Sequence, residues 1–214
     1  MAPEPSAETS SNGQPVVFVV DDDPSVRAAL EDLFASVGLC AMAFQTAQEF
    51  VSHLGSIEPA PGCVVLDIRM PGQNGLDFQT DMAGLGIHMP VIVITGHGDM
   101  QLAVRAMKQG AIDFLPKPFR DQDLVVAVQT AIERDRLRRQ NDANVADLRE
   151  RWTSMRQGER DVMDGVVRGL LNKQIARELN VRDITVRVRR RRVMRKMQAN
   201  SVAELVRMAQ VLAR

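Results

Sequence analysis

Residues 16–24 read Val-Val-Phe-Val-Val-Asp-Asp-Asp-Pro, and they carry the strongest indication of the fold. Its five consecutive apolar residues, Val16–Val20, predict a strand that is buried on both faces. Three acidic residues follow, and Pro24 then stands where a helix would begin, because a first-turn N–H has no partner within the helix. A buried strand that passes through an acidic turn into a helix is typical of parallel α/β sheets.

The same alternation of strand and helix continues to about residue 139. Apolar runs and helical spacing predict strands at 39–44, 62–66, 89–95 and 111–115, and helices at 24–37, 47–54, 99–109 and 121–139. The pairs Pro71-Gly72 and Asn74-Gly75 predict a loop. This half of the chain is therefore expected to be a doubly wound α/β domain, a five-stranded parallel sheet with helices on both faces.

Polar residues stand where these strands end. They are Asp21 and Asp22 after the first strand, Asp67 after the third, Thr95 at the end of the fourth and Lys117 after the fifth. Ligands of such sheets bind at the carboxyl ends of the strands. Clustered carboxylates repel one another unless a cation compensates, and Mg²⁺ prefers such oxygen ligands. A carboxylate beside Mg²⁺ can accept a phosphoryl group, whose oxygens Lys117 and the Thr95 hydroxyl would hold.

Length and composition exclude several classes of protein. The 214 residues, 45% apolar and 25% charged, predict a folded, soluble chain of one large or two small domains. No apolar stretch approaches the ~18–20 residues of a transmembrane helix, and residues 1–14 lack a signal-peptide core and are predicted to be a disordered tail. Cys40 and Cys63 are too few for a disulfide scaffold, which favours a cytoplasmic protein.

The charge differs sharply between the two halves. Residues 1–135 carry 7 Lys and Arg against 18 Asp and Glu, a net of −11, whereas residues 136–214 carry 20 against 9, a net of +11. Such an asymmetry indicates two domains with different partners. The charged stretch 134–156 is predicted to be a helical extension and linker between them.

The basic half has a helical pattern throughout. Apolar spacing predicts a first helix around 162–170, then helices at 172–179 and 183–197 and a fourth around 202–208, with Asn180 in a left-handed turn. Two short helices joined by a tight turn form a helix-turn-helix pattern. Residues 182–196 carry eight basic side chains and one acid, which favours nucleic-acid binding. We expect the buried stripe of this basic helix to be Ile184, Val188, Val193 and Met194.

Residues 15–135 resemble the receiver domain of bacterial two-component response regulators, and specifically the FixJ branch. The matching stretches are Val-Val-Asp-Asp (19–22), Leu-Asp-Ile-Arg-Met-Pro-Gly (66–72), Ile-Thr-Gly-His-Gly-Asp (94–99) and Gly-Ala-Ile-Asp-Phe-Leu-Pro-Lys-Pro-Phe (110–119). The resemblance implies a flavodoxin-like fold and a phosphorelay function with Mg²⁺ as cofactor. His97 lies in a loop of this family, without a chemical role.

The resemblance also implies a role for each site residue. Asp67 would be the phosphoacceptor, Thr95 the switch hydroxyl, Lys117 the cation that contacts the phosphoryl group and Phe114 the rotating aromatic residue. The Mg²⁺ ligands would be Asp22 directly, Asp21 through water, Asp67 and the backbone carbonyl of Arg69. Asp23 is interpreted as a helix N-cap.

Residues 153–212 resemble the LuxR-type output domain, a four-helix bundle with a helix-turn-helix. The matching stretches are Asn-Lys-Gln-Ile-Ala-Arg-Glu-Leu (172–179), Thr-Val (185–186), Val-Met-Arg-Lys-Met (193–197) and Glu-Leu-Val-Arg-Met-Ala (204–209). By this resemblance the residues that face DNA are Lys173, Thr185, Arg187, Arg189 and Arg190. The expected organisation is therefore a tail (1–14), a receiver domain (15–135), a helical linker (136–152) and a DNA-binding domain (153–214).

Three departures from the LuxR-type pattern concern the output domain. The usual opening Leu-Thr-x-Arg-Glu is Met155-Arg156-Gln157-Gly158-Glu159 here, and losing the Thr cap is expected to weaken the first helix by about 1 kcal/mol. Arg182 replaces a Ser before the basic helix, and Arg189-Arg190 replace His-Arg. Because phosphate contacts position a protein while base contacts specify the site, these changes affect sequence specificity more than affinity.

Three functions are compatible with these residues. The leading one is a transcription factor that a sensor histidine kinase phosphorylates on Asp67. It would then dimerise, bind an inverted repeat in double-stranded DNA and act on RNA polymerase, with no membrane contact. It would catalyse only its own phosphorylation and dephosphorylation. The second function is a phosphatase or phosphotransfer enzyme, although no cap domain shields a substrate. The third is a phosphorylation-switched adaptor or non-specific DNA binder with a degenerate recognition helix.

Overall fold

The structure is a computed structural model that describes residues 13–54, 60–70, 73–96 and 100–213. The chain forms two compact units that meet in sequence between Arg139 and Gln140. Across the described ranges, no helix is both long and apolar enough to cross a membrane. Of the tail predicted at 1–14, only Gly13 and Gln14 are described, and His97 also lies outside the described residues.

The first unit is built on a five-stranded sheet. Its elements are β1 (Val16–Val20), α1 (Pro24–Ser36), β2 (Cys40–Phe44), α2 (Ala47–Leu54), β3 (Gly62–Asp67), β4 (Arg69–Met70), β5 (Gln73–Asn74), α3 (Gly75–Met82), β6 (Val91–Thr95), α4 (Met100–Lys108), β7 (Asp113–Pro116) and α5 (Asp121–Thr153). The strand order is β2-β1-β3-β6-β7 with every neighbouring pair parallel, while β4 and β5 form a separate short hairpin. The predicted doubly wound parallel sheet is confirmed.

Two apolar cores lie on opposite faces of this sheet. Every residue of β1 and β3 is buried, as their continuous apolar runs predict. Alternate residues of β1 enter opposite cores: Phe18 packs with side chains of α2 and α3, whereas Val19 packs with those of α1 and α5. Apolar packing on both faces holds the parallel strands in place, so their carboxyl ends lie together at one edge of the sheet.

The prediction of a loop at 71–75 was wrong at its second half, where helix α3 begins at Gly75. The Asn74 side chain accepts a hydrogen bond from the Leu76 N–H at 2.9 Å, so Asn-Gly forms a helix cap instead of a turn. The strand predicted at 111–115 also begins later, at Asp113. The reason is that the Ala111 N–H bonds to the Ala106 carbonyl and closes helix α4.

Helix α5 spans a predicted helix and the helical extension predicted after it. The helix predicted at 121–139 and the linker predicted at 136–152 form one continuous helix. Asp135, in the stretch interpreted as a charged linker, is fully buried and accepts a hydrogen bond from the Gly62 N–H at 3.1 Å. The predicted domain boundaries at 135/136 and 152/153 both fall within this helix, and they stay predictions.

The second unit is all-helical, as predicted. Its helices after α5 are α6 (Gln157–Val167), α7 (Asn172–Glu178), α8 (Asp183–Met197) and α9 (Val202–Leu212). Their common core also includes Leu148 and Trp152 from the end of α5. Asn180 has a φ of 49°, which confirms the left-handed turn between α7 and α8.

The predicted buried stripe of α8 was partly wrong. Val193 is buried and Met194 packs against the core, but Ile184 and Val188 are 62% and 45% exposed. The buried residues of α8 are Val186, Val193 and Met197, which lie on one face of the helix at spacings of seven and four. Ile184 and Val188 lie on the opposite face.

Candidate functional site

The carboxyl ends of β1 and β3 bring three acidic side chains together. Asp21, Asp22 and Asp67 each offer one carboxylate oxygen, and these oxygens lie within 4.8 Å of one another. The two strands are neighbours in register, with Val20 opposite Leu66, so the residues that follow them meet at one edge of the sheet. Asp21 and Asp67 are buried and Asp22 is half-buried.

The acidic turn is fixed by hydrogen bonds along its own backbone. The Asp21 carboxylate accepts from the Asp23 N–H at 2.9 Å, and Arg27 donates to the Asp21 carbonyl at 2.6 Å. The Asp23 carboxylate accepts from the Ser25 N–H at 2.8 Å, which confirms Asp23 as the N-cap of α1. This bond lowers the pKa of Asp23 below its usual value. Asp23 is therefore a helix cap and not part of the acidic cluster.

Lys117 joins two of the three carboxylates. Its ammonium nitrogen lies 2.6 Å from Asp21 Oδ2 and 3.0 Å from Asp67 Oδ2. Burial lowers the pKa of Lys117, but the hydrogen bonds to the two carboxylates raise it by more, so the pKa lies above its usual value. The Lys117 N–H also bonds to the Thr95 carbonyl at 2.7 Å, and the Lys117–Pro118 peptide bond is cis. The ammonium is thus a fixed positive charge at the acidic cluster.

Gly75 permits the close packing beneath Asp67. A Cβ at this position would lie 2.1 Å from the Asp67 carbonyl oxygen, a distance that no side chain tolerates. The Gly75 N–H bonds to the Ile68 carbonyl at 2.9 Å, and Asp67 Oδ1 accepts from the Arg69 N–H at 3.2 Å. From the sequence, Gly75 was predicted only as a turn residue; its role in close packing depends on the contact of α3 with β3.

The residues present fit a hard divalent cation. Three clustered carboxylates supply the oxygen donors that Mg²⁺ binds, and such a site usually keeps several waters as well. Lys117 compensates part of the negative charge of the cluster, and a bound divalent cation would compensate the rest. Among the described residues, the structure therefore brings together the predicted ligands Asp21, Asp22 and Asp67.

The two predicted switch residues lie on the neighbouring strands. Thr95 ends β6 and is fully buried, next to the Asp67–Ile94 pair of the sheet. Phe114 lies in β7, half-buried, and packs against the core that α2, α3 and α4 cover. Arg69 begins β4, two residues after Asp67 at the end of β3, and its side chain is exposed. These positions are compatible with the predicted roles, which stay predictions.

The basic helix α8 carries its arginines on several faces. Arg190 is half-buried and donates to Asn172 Oδ1 of α7 at 2.8 Å. Arg189 is also half-buried, and its guanidinium occupies the space that a Cβ of Gly158 would take, 2.6 Å from Nη1. Two departures from the family pattern, Gly158 and Arg189, therefore meet in the structure. Both arginines contact or lie close to residues of their own unit, Arg190 at Asn172 and Arg189 at Gly158. Their predicted DNA contacts stay predictions.

An outward face of α8 is defined here by Ile184, Arg187, Val188, Arg191 and Arg195, all of them exposed. Arg187 is held by Asp183 at 2.8 Å and its side chain remains 63% exposed. Of the predicted DNA contacts, Arg187 and also Lys173 on α7 are exposed, whereas Thr185 is half-buried. Arg191 and Val188, which were not among the predicted DNA contacts, are also exposed on this face.

Comparison with known proteins agrees with both halves of the chain. Residues 17–129 match the family model "Response regulator receiver domain", and residues 154–209 match the model "Bacterial regulatory proteins, luxR family". Nodulation protein W of Bradyrhizobium diazoefficiens is 49% identical over 204 residues, 95% of this chain and 89% of that protein. The transcriptional regulatory protein FixJ of the same organism is 42% identical over 193 residues, 90% of this chain and 93% of that protein.

A solved structure gives the same result for the fold. The response regulator StyR matches with a TM-score of 0.81 and 40% identity, covering 92% of this chain and 99% of that one. The sheet order, the acidic cluster with Lys117 and the helical second unit all agree with these matches. The chain therefore belongs to the FixJ-like response regulators, which join a receiver domain to a LuxR-type DNA-binding domain.

Proposed function

We propose that Asp67 accepts a phosphoryl group from a sensor histidine kinase and that this event controls DNA binding. The contact of Lys117 with both Asp21 and Asp67 supports the proposal most directly. The ammonium lies beside the Asp67 carboxylate, where it would contact the oxygens of a transferred phosphoryl group. Asp21, Asp22, Asp67 and the carbonyl of Arg69 would hold Mg²⁺, which offsets the charge of the phosphoryl oxygens when bound.

Thr95 and Phe114 would carry the signal away from Asp67. Thr95 ends β6 beside the phosphoacceptor strand, and Phe114 lies in the next strand, β7. Helix α4 follows β6, and two exposed polar contacts connect it and the residue after it to α3: Arg105 with Asp77 and Gln109 with Thr80, both at 2.9 Å. Only Ala106 of α4 is fully buried. Because polar surface contacts exchange readily, α4 is the element best suited to move.

The phosphorylated receiver domain would dimerise through α4. Met100, Val104 and Met107 lie at helical spacing on one face of α4 and are 77%, 47% and 47% exposed. A second copy of the chain would cover this apolar stripe. Two output domains would then bind an inverted repeat in double-stranded DNA and contact RNA polymerase. Since chromosomal DNA is the proposed partner, the protein would act in the cytoplasm.

The proposed function is tested by capturing genomic DNA fragments with the full-length protein. The protein is used with and without beryllofluoride and Mg²⁺, where beryllofluoride stands in for the phosphoryl group on Asp67. We expect one inverted repeat to be enriched only in the activated sample. The Asp67→Asn variant should form no acyl phosphate with a small phosphodonor and should retain no specific fragment, whereas Asp32→Asn, an exposed carboxylate on α1, should behave as wild type.

Two results would contradict this function. Labelling of Asp67→Asn at the wild-type level would show that another residue is the phosphoacceptor. Equal retention of unrelated fragments with and without activation would show that the arginines contact only the DNA backbone. In that case the non-specific binder or adaptor would become the better interpretation.

A further inference from the structure

Two branched aliphatic side chains stand exposed in the middle of the basic helix. Ile184 and Val188, 62% and 45% exposed, lie four residues apart and therefore next to each other on the outward face of α8. Isolated apolar residues are common on protein surfaces, but here an adjacent pair lies on a helix with eight basic side chains at 182–196. The core of the unit does not use this pair, since Val186, Val193 and Met197 form the buried face.

The surroundings of the pair indicate what it would contact. Arg187, Arg191 and Arg195 lie on the same outward face, so that the aliphatic pair is bordered by cations. Such a border attracts a polyanion and holds it against the pair. Arg187 also forms an ion pair with Asp183 at 2.8 Å, and its side chain remains 63% exposed on this face.

Within DNA, only one exposed group of the major groove is apolar. The C5-methyl of thymine projects into that groove, and aliphatic side chains contact it in direct readout. The other groups at the base edges are hydrogen-bond donors and acceptors, for which Ile184 and Val188 have no complementary atoms. Ile184 and Val188 also lie in the first half of α8, and the N-terminal part of a recognition helix contacts the bases.

We infer that Ile184 and Val188 form an apolar reading surface for thymine methyl groups and contribute to the sequence specificity of this protein. The inference rests on the proposed function, because it requires α8 to enter the major groove. It also assigns the exposed arginines of the outward face mainly to phosphate contacts. Arg182, Arg189 and Arg190 then need not supply the specificity that the departures from the family pattern appeared to remove.

The test removes only the C5-methyl group of thymine from the DNA. A duplex is selected from a random-sequence library with the full-length protein activated by beryllofluoride and Mg²⁺. The selected site is then synthesised again with deoxyuridine in place of thymidine, one position at a time. Since one buried methyl group contributes about fourfold in affinity, we expect the wild type to lose about fourfold at one or more positions.

Variants identify the side chains that contact the methyl groups. Ile184→Ala and Val188→Ala should bind the thymine duplex more weakly and should no longer distinguish deoxyuridine at the contacted position. Arg191→Ala should bind DNA more weakly and with a smaller salt dependence, but it should still distinguish thymine from deoxyuridine. Val202→Ala, an exposed β-branched residue on α9, is the matched control and should resemble the wild type.

Several results would overturn the inference. One is equal affinity of the wild type for the thymine and deoxyuridine duplexes. Another is an Ile184→Ala or Val188→Ala variant that binds more weakly yet remains as sensitive to deoxyuridine as the wild type. A selected site without thymine would have the same meaning. Failure to select any duplex would overturn the proposed function together with this inference, whereas selection without methyl sensitivity would overturn the inference alone.

Discussion

At the scale of single residues, Lys117 decides how the acidic cluster is balanced. Asp21 is fully buried, and Lys117 donates the 2.6 Å hydrogen bond to its Oδ2. A buried carboxylate that loses such a donor keeps the cost of its desolvation without compensation. Lys117 is therefore important for the folded state of the receiver domain as well as for the proposed phosphoryl contact.

Replacing Lys117 with Ala is expected to lower the free energy of unfolding of the receiver domain by about 1–3 kcal/mol in EDTA. The pKa of Lys117 is raised in the folded state. The stability that the charged Lys117 contributes is therefore fully present at pH 7 and is lost only as the pH rises above about 10.5. Mg²⁺ should stabilise the variant more than the wild type, because the cation then compensates Asp21 and Asp67.

Scanning calorimetry of the full chain with EDTA and with Mg²⁺ measures both effects. Lys108→Ala is the control, since this residue is an exposed lysine on α4. Equal stabilisation of the wild type and Lys117→Ala by Mg²⁺ would show that the cation does not replace the charge compensation that Lys117 gives to Asp21 and Asp67.

At the scale of helices, hydrogen bonds around Glu159 connect the start of α6, helix α8 and the end of α5. Its carboxylate accepts from the Arg156 N–H at the start of α6 at 3.0 Å and from Lys196 of α8 at 2.8 Å. The Lys196 ammonium also donates to the carbonyl of Ser154, directly after α5. The Arg156 side chain makes no capping hydrogen bond, so Glu159 supplies the cap that the usual Thr would share.

The Glu159→Gln variant is expected to lose about 2 kcal/mol of unfolding free energy at pH 7, because the charged acceptor is removed. The hydrogen bond from Lys196 lowers the pKa of Glu159 in the folded state, and the Arg156 N–H adds to this shift. The stability that this carboxylate contributes is therefore present above its unfolded pKa near 4.5 and is lost as the pH falls through the lower folded value.

Urea unfolding followed by the fluorescence of Trp152, the single tryptophan of the chain, reports on this unit. The difference between wild type and Glu159→Gln should be large at pH 7 and should shrink below about pH 4.5. Glu150→Gln, an exposed carboxylate on α5, should change stability little. A difference that does not depend on pH would mean that the charge of Glu159 is not what stabilises the fold.

At the scale of the whole molecule, the apolar stripe of α4 predicts how two copies assemble. Val104→Glu places a charge in the middle of the stripe formed with Met100 and Met107. Burying an unpaired carboxylate at an interface is unfavourable, so the activated dimer should weaken at least tenfold. Phosphorylation of Asp67 should continue, because Val104 does not contribute to the acidic cluster.

Sedimentation of the protein with and without beryllofluoride measures this dimer. Leu85→Glu is the control, since Leu85 is 53% exposed but lies outside the stripe, after α3. Both variants should remain folded as monomers. An activated Val104→Glu protein that dimerises like the wild type would assign the interface to another surface.

The sequence by itself determined the sheet and its acidic cluster. The apolar runs of β1 and β3 are short and rich in Val, which favours buried strands, and the carboxyl ends of parallel strands meet at one edge. Asp21, Asp67 and Lys117 could therefore be brought together from residue order alone. The helical pattern of the second half was equally clear, since its apolar residues recur at helical spacing.

Only the tertiary structure decided the rest. Helix α3 begins at Asn74-Gly75, a pair that also forms turns, and the choice depends on packing against β3. Asp135 belongs to a charged stretch, and only its contact with Gly62 buries it. In α8 an apolar residue is not always a buried one, because Ile184 and Val188 are exposed. Packing against the neighbouring helices selects that face, and no local pattern contains this information.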